Sequence, residues 1–506
     1  MSSPQQRPFL EVVKHTLIYG SGYVATAAVG FLLVPVYTHR FEPAEYGLLA
    51  LLLVLYGFMG MVYDLGFTNS VGRFFFDCKG EERENALRRM VGTALSFMAA
   101  YAGLLTAVLC IGAGSVAEVV TGDAANAGLI RLVAVALLAD ALAIVPLTLI
   151  RMEERSGIYI LITIVRSTAA LGLNVLFVVG LGWGVRGVAA SLALTAGGVL
   201  LCLVPEIRRR LGGGVSWPLL RQMLGFGLPF FPVLLCSWVV EASDRYILEL
   251  FRGPEEVGFY ALGYKIAQIM QIAVTAFSMG WAPLRYKIFE RESARAEYRG
   301  ILTYYVMAAA VLGVAIAVLD RELVSLVAPA NYAPAAGIVA PIVLAYATYG
   351  TYLIVLTGMG VTKRTGAMGW LAAAGAGLNV GLNFLLIPRY GMTAAALTTV
   401  AANLLVAWGG WFFSQRVYAI SYDWTRVLGV VGLAVAAVLA DHAWHPEQAL
   451  GAWAWSLAVW FVFVGVLLAT LARAELTKGL AVARAFLGRR RLPRVGRHLA
   501  TGEVAE

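Results

Sequence analysis

Seven ionisable side chains stand inside long apolar runs or at their ends: Asp64, Asp140, Arg166, Glu241, Asp244, Arg245 and Lys265. A lone Arg or Lys at the centre of a membrane helix costs about 2.5–3.5 kcal/mol on insertion scales, so each calls for water, a counter-charge or a ligand. Lys265, Gln268 and Gln271 recur at helical spacing and share one face, which is costly to turn toward lipid. Asn174, Asn379, Asn383 and Asn403 add neutral polarity in other runs. Cations gathered in a cavity suit a phosphate, which offers charge and several acceptors in return for lost hydration. Two readings stand side by side. Arg166 and Lys265 either line such a cavity or pair with Asp140 or Glu241 as structural ion pairs. Arg73, just beyond an apolar run, is either one more cavity cation or an ordinary basic flank.

Helices in a membrane must carry these groups. Of 506 residues, 60% are apolar and 14% charged, and the mean hydropathy is +0.77. Soluble domains carry roughly 25% charged residues, so the surplus apolar surface needs lipid as its solvent. The runs are continuous, which excludes the period-two alternation of a transmembrane barrel. Spans of roughly 20 residues fall at 15–38, 47–67, 91–112, 129–150, 158–181, 187–204, 223–248, 257–280, 301–319, 335–358, 366–387, 392–414, 425–440 and 450–472. The expected fold is all-α and polytopic, with about fourteen transmembrane helices.

Charge sets the orientation. With the N-terminus in the cytoplasm, 30 of the 39 Lys and Arg face inward and 7 outward. Basic residues favour the cytoplasmic side, so both termini are expected there. The net charge of +9 thus has a topological cause and does not call for nucleic acid. The tail from 473 to 506 carries eight basic residues, suited to anionic headgroups.

The chain also repeats itself. Pro43-Ala-Glu-Tyr-Gly-Leu-Leu-Ala-Leu51 matches Pro254-Glu-Glu-Val-Gly-Phe-Tyr-Ala-Leu262 at five of nine places, 211 residues apart. Gly172-Leu-Asn-Val175 recurs 205 residues later as Gly377-Leu-Asn-Val380. Six helices separate the copies, so they share one orientation, as in transporters built from parallel repeats. The expected units are six-helix lobes at 10–205 and 220–415, two extra helices at 425–472, and the basic tail.

Enzymatic chemistry finds little support. Cys78, Cys110, Cys202 and Cys236 lack metal-ligand spacing. His442 and His445, with only Asp441 and Glu447 beside them, read as a surface pair. No Walker A run occurs, and no outward loop exceeds roughly 20 residues. No catalytic residue, metal site or cofactor is expected; a coupling ion, if one is used, is a proton or sodium.

Val34-Pro-Val-Tyr-Thr38, Phe41-Glu-Pro-Ala-Glu-Tyr-Gly47, Asp64-Leu-Gly-Phe67 and Arg73-Phe-Phe75 resemble the first two helices of polysaccharide flippases. Those proteins form part of the multidrug/oligosaccharidyl-lipid/polysaccharide exporter (MOP) superfamily. Asp244-Arg-Tyr-Ile-Leu248, Val257-Gly-Phe-Tyr-Ala261 and Lys265-Ile266 resemble that family's seventh and eighth helices. The resemblance runs from about residue 10 to 470. It implies a V-shaped pair of lobes that open alternately inward and outward in a bacterial inner membrane. The implied substrate is an undecaprenyl-diphosphate-linked oligosaccharide, moved to the outer leaflet for O-antigen, capsule or exopolysaccharide assembly. Arg73, Arg166, Arg245 and Lys265 would then present a cationic lumen to the diphosphate. Asp64, Asp140, Glu241 and Asp244 would be counter-charges or ion-coupling groups, and Asn174, Gln268, Gln271, Asn379 and Asn383 a polar lining. Implied partners are the polyprenyl-diphosphate-linked sugar, membrane lipids and other polysaccharide-assembly membrane proteins. A multidrug–cation antiporter and a peptidoglycan-precursor flippase of the same superfamily are alternatives, as is a membrane-embedded sugar-transferring enzyme. Drug exporters of the superfamily usually stop at twelve helices.

Overall fold

A computed structural model describes residues 28–78, 83–212, 214–362, 364, 366–446 and 449–470, and every regular element among them is helical. Eleven of these helices are long and apolar enough to cross a membrane. The chain is a multi-pass membrane protein. Lipid offers no partner to backbone N–H and C=O groups, so each span satisfies its own as a helix.

The first half comprises α1 (Ala28–Thr38), α2 (Pro43–Asp64), α3 (Phe67–Phe75), α4 (Arg83–Ile111), α5 (Ala113–Thr121), α6 (Ala127–Met152), α7 (Ser156–Asn174) and α8 (Gly184–Arg210). The second comprises α9 (Trp217–Gly227), α10 (Phe231–Arg252), α11 (Pro254–Phe289), α12 (Ala294–Val318), α13 (Asp320–Val327), α14 (Val339–Val355), α15 (Thr357–Val361) and α16 (Gly366–Val417). α17 (Trp424–Ala443) and α18 (Ala449–Thr470) follow and pack on α12, where Trp460 Nε1 donates to Val311 O at 2.9 Å.

Two boundaries depart from the sequence reading, each for a local reason, and a third break falls where the sequence places it. The seventh span is two helices, α9 and α10, joined by a 3-10 turn at Leu228–Phe230. Pro229 and Pro232 lack the N–H that a continuous helix would use. The eleventh and twelfth spans part as expected: α16, whose residues 366–417 hold both, turns at Gly391 (φ 56°, ψ −140°), a conformation open to glycine. Glu256 holds that turn, accepting from Met392 N at 3.1 Å while pairing with Arg252 at 2.8 Å. The second span ends at Asp64, and α3 begins after a left-handed Leu65–Gly66 pair.

α2 lies against α11, and this seam joins the two halves. Both helices open on proline with acidic residues in the first turn, Glu45 in one and Glu255 and Glu256 in the other. Proline's fixed φ suits the first turn, and the carboxylates suit the positive end of the helix dipole. The repeated glycines then allow backbone contact: a Cβ at Gly47 would stand 1.9 Å from Pro254 O, and one at Gly258 1.9 Å from Pro43 O. Close approach through small residues is how membrane helices associate, since lipid removes the hydrophobic drive between them. A second seam joins α3 to α9, where Ser70 Oγ donates to Met223 O at 2.6 Å and Gly66 touches Gly227.

Candidate functional site

Arg166 on α7 meets Asp140 on α6. Its Nη1 stands 3.0 Å from Oδ1, and Nη2 donates to Oδ2 at 3.0 Å. Tyr56 of α2 closes the triangle, donating to Asp140 and accepting from Arg166 Nη2 at 3.3 Å. The guanidinium's planar fork fits the two carboxylate oxygens, which places both charges in one neutral unit. The side chains stay partly open, at 34% and 22%. The next residues along α2 face the other half: Phe58 lies 4.8 Å from the Trp238 ring, centroid to centroid, and Gly57 faces Trp238 Nε1.

The second cluster joins α10 and α11. Asp244 is fully buried and accepts from Tyr260 Oη and, at 2.8 Å, from Arg245 N. The Arg245 guanidinium lies over Tyr264 at 4.5 Å and Tyr260 at 5.9 Å, so ring faces share its solvation. Lys265 follows one residue after Tyr264. A Cβ added to Gly30 of α1 would stand 3.4 Å from its ammonium, so the cation reaches across to the first helix. Tyr264, over whose ring Arg245 lies, is the residue before Lys265, which brings the two cations to the same stretch of α11. Among the described residues no carboxylate lies within ion-pair distance of Lys265. Lys265, Gln268 and Gln271 are half-buried. The side chain of Glu241 lies outside the described residues.

The remaining candidates are engaged locally. Arg73 pairs with Asp77 one turn on, at 2.5 Å, with both side chains about half exposed. Asp64 accepts from the N–H and the hydroxyl of Thr68, each at 2.9 Å, and so holds the start of α3. Asn174 is buried: Tyr37 donates to its Oδ1 at 2.9 Å, and its Nδ2 donates to Ala170 O at 2.7 Å and Ser191 Oγ at 3.0 Å. Asn383 donates to Asn379 at 3.1 Å and accepts from Thr398; Asn379 also accepts from Ser243 at 3.4 Å and donates to Thr399 at 3.5 Å. These asparagines tie α1 to α7 and α8, and α10 to both arms of α16. Asn403 donates to Ala345 O of α14 at 3.1 Å. The sequence thus located Arg166 and Arg245 but not their partners Tyr56, Tyr260 and Tyr264. A tyrosine in an apolar run carries no charge to mark it.

The histidine pair needs correction. His445 is no surface residue: its side chain is 8% exposed, 3.6 Å from both Glu322 and Asp441, while His442 stands 3.5 Å from Asp320. Asp320 and Glu322 lie on α13, some 120 residues earlier, and the end of α17 folds onto them.

Residues 12–289 match the family model described as polysaccharide biosynthesis protein. No curated protein matches the chain. Among solved structures, the fold is similar to the lipid II flippase MurJ in its inward closed conformation, with a TM-score of 0.71 at 10% identity over 90% of this chain and 98% of that one. It is similar also to a multidrug resistance MATE family transporter of the MOP superfamily in an outward-facing conformation, with a TM-score of 0.54 at 14% identity over 83% and 96%. The Vibrio cholerae MATE transporter VcmN in the bent form gives 0.52 at 13% identity over 80% and 96%. At such identities the likeness is one of fold. The family match spans more than half of the sequence, and the chain belongs to the polysaccharide biosynthesis protein family.

Proposed function

We propose that this protein is a flippase that carries an undecaprenyl-diphosphate-linked oligosaccharide from the inner to the outer leaflet for surface polysaccharide assembly. The observation that carries the reading is Lys265: a half-buried ammonium on the α11 face toward α1, with no carboxylate in reach among the described residues. Arg245 adds a second cation, over the ring of Tyr264, the residue before Lys265. A diphosphate is the ligand that two neighbouring cations recognise best, since it brings two charges and several acceptors.

The mechanism follows from differential binding. Residues 10–205 and 220–415 act as two parallel lobes that rock about the α2–α11 seam. In one state Asp140 holds Arg166; substrate phosphate competes for that guanidinium and shifts the balance toward the other state. Asp244 and the tyrosines around Arg245 keep the second site charged and oriented. Both termini are placed on the cytoplasmic side of a bacterial inner membrane, a reading that the distribution of basic residues supports. The reading is of a transporter and not of an enzyme. A lipid-linked cargo is favoured over an organic cation by the cationic face and by the closer fold likeness to a lipid flippase, at 0.71 against 0.54.

The test is complementation. In a strain lacking this protein, the wild-type chain restores surface polysaccharide, and Lys265→Ala inserts in the membrane without restoring it. Restoration by Lys265→Ala at normal protein levels would overturn the assignment of the site.

A further inference from the structure

We infer that the closure between the two halves on the α5–α13 face is latched on one side only, so that it parts first between α10 and α5. The inference rests on the transport reading, whatever the cargo. Both copies of the repeat send matching pieces to this face, and the bonds that tie one side have no counterpart on the other.

On the tied side, the end of α1 and the turn after it meet α13 and the 3-10 turn Ala330–Ile338. Thr38 ends α1 and is 1% exposed. Its hydroxyl stands 2.5 Å from Val327 O, at the end of α13, and 3.0 Å from Val34 O of its own helix. Carbonyls in the last turn of a helix lack partners within it, so the threonine caps α13 from the other half. Tyr332 Oη donates to Phe41 O at 2.8 Å, and Asn331 Nδ2 to Glu42 Oε2 at 3.1 Å. Three side-chain bonds thus cross between the halves here.

The repeat carries these positions to the other side with their chemistry changed. Thr38 and Glu42 stand 211 residues before Glu249 and Gly253; Val327, Asn331 and Tyr332 stand 205 residues after Gly122, Asn126 and Ala127. Gly253 and Ala127 bring no polar side chain. Asn126 keeps its amide but donates to Thr121 of its own half, at 3.0 Å. What remains is Glu249 beside the residue that caps α5: a Cβ at Gly122 would stand 3.6 Å from Glu249 Oε1. The free carbonyls of a helix end only accept, and a carboxylate only accepts as well. It also meets the negative end of the helix dipole. Glu249 Oε2 is buried without a hydrogen-bond partner. Where Thr38 donates to one short helix, its counterpart has nothing to give the other.

One hydrogen bond shifts a closed–open balance by roughly two- to tenfold. Three such bonds hold α13 to α1 and the turn after it, and the mirrored positions supply none among the described residues. The α5 side is therefore the one that yields.

The experiment uses the full chain, purified in detergent at pH 8.5, with Cys78, Cys110, Cys202 and Cys236 changed to Ser. Nitroxide labels are placed on Leu250→Cys with Val119→Cys across the α10–α5 side, and on His39→Cys with Leu326→Cys across the α1–α13 side. All four positions are exposed. Pulsed dipolar spectroscopy then reads the distances within each pair. The α10–α5 pair is expected to show a second, longer distance that the α1–α13 pair lacks. Glu249→Gln, whose amide can donate to the α5 carbonyls, is expected to cut that longer population at least about threefold. Thr38→Val with Tyr332→Phe is expected to bring a longer distance to the α1–α13 pair. The same distribution on both sides before either change, or no response to one of these changes, would overturn the one-sided latch. The readout needs no cargo, so its failure leaves the transport reading standing.

Discussion

Gly47 and Gly258 lie back to back across the α2–α11 seam, each against the carbonyl of the proline that opens the other's helix. Pro43 and Gly47 precede Pro254 and Gly258 by the same 211 residues, so exchanging the two copies returns the same pair of contacts. A self-complementary contact of this kind is what a two-fold relation leaves at its axis. Gly47→Ala and Gly258→Ala are therefore expected to destabilise the protein comparably, by about 1–3 kcal/mol or more through overpacking. Melting of the purified protein checks this, with Gly60→Ala on α2, whose Cβ would enter open space, as the control. A loss at one glycine alone, or an equal loss at Gly60, would argue against the shared axis.

Arg166 and Asp140 are expected to be energetically coupled. Arg166→Ala and Asp140→Asn should each lower stability, and the double variant by less than the two together, with a coupling of about 0.5–3 kcal/mol. Partial exposure keeps each single loss below the roughly 3–5 kcal/mol of a fully buried pair. Additive losses in a melting series would mean that the geometry carries no energy.

The asparagine knots are expected to be structural. Asn174→Ala leaves the Tyr37 hydroxyl without its acceptor and takes one partner from Ser191, while Asn383→Ala takes one partner from Thr398, which keeps Ala395 O, and one from Asn379, so that each costs about 1–3 kcal/mol. Melting temperature should fall while polysaccharide export per folded molecule holds. Export lost from a fully stable Asn174→Ala protein would return this residue to the transport path.

Orientation is tested by single cysteines labelled from outside intact cells. Positions Ala330 and Trp444 should react, and Arg291 should not; all three are exposed. Reaction at Arg291 would invert the topology.

What the sequence could and could not say follows from distance along the chain. Composition and apolar runs sufficed for a helical membrane protein, because the hydrocarbon thickness acts on each span separately. The Gly391 turn was legible too, since Pro388 and Gly391 sit between two apolar runs. The Arg166–Asp140 pair was one of two readings, available because neighbouring spans each held one charge. The acid–histidine cluster was not legible: its halves are more than a hundred residues apart, and His442 and His445 alone look like any exposed pair. The aromatic cradle of Arg245 escaped for the same reason as Tyr56, because tyrosine is at home in an apolar run with or without a partner.

The central claim, that Lys265 and its neighbouring cation bind a diphosphate during transport, is tested most directly in proteoliposomes. Purified wild-type protein and Lys265→Ala are each reconstituted with a fluorescent undecaprenyl-diphosphate-linked oligosaccharide, and its passage to the opposite leaflet is timed by a membrane-impermeant quencher. The account predicts movement with the wild-type protein and at least a tenfold slower rate with Lys265→Ala at equal incorporation and equal melting temperature. Equal rates for the two proteins, or no movement with the wild type, would contradict it.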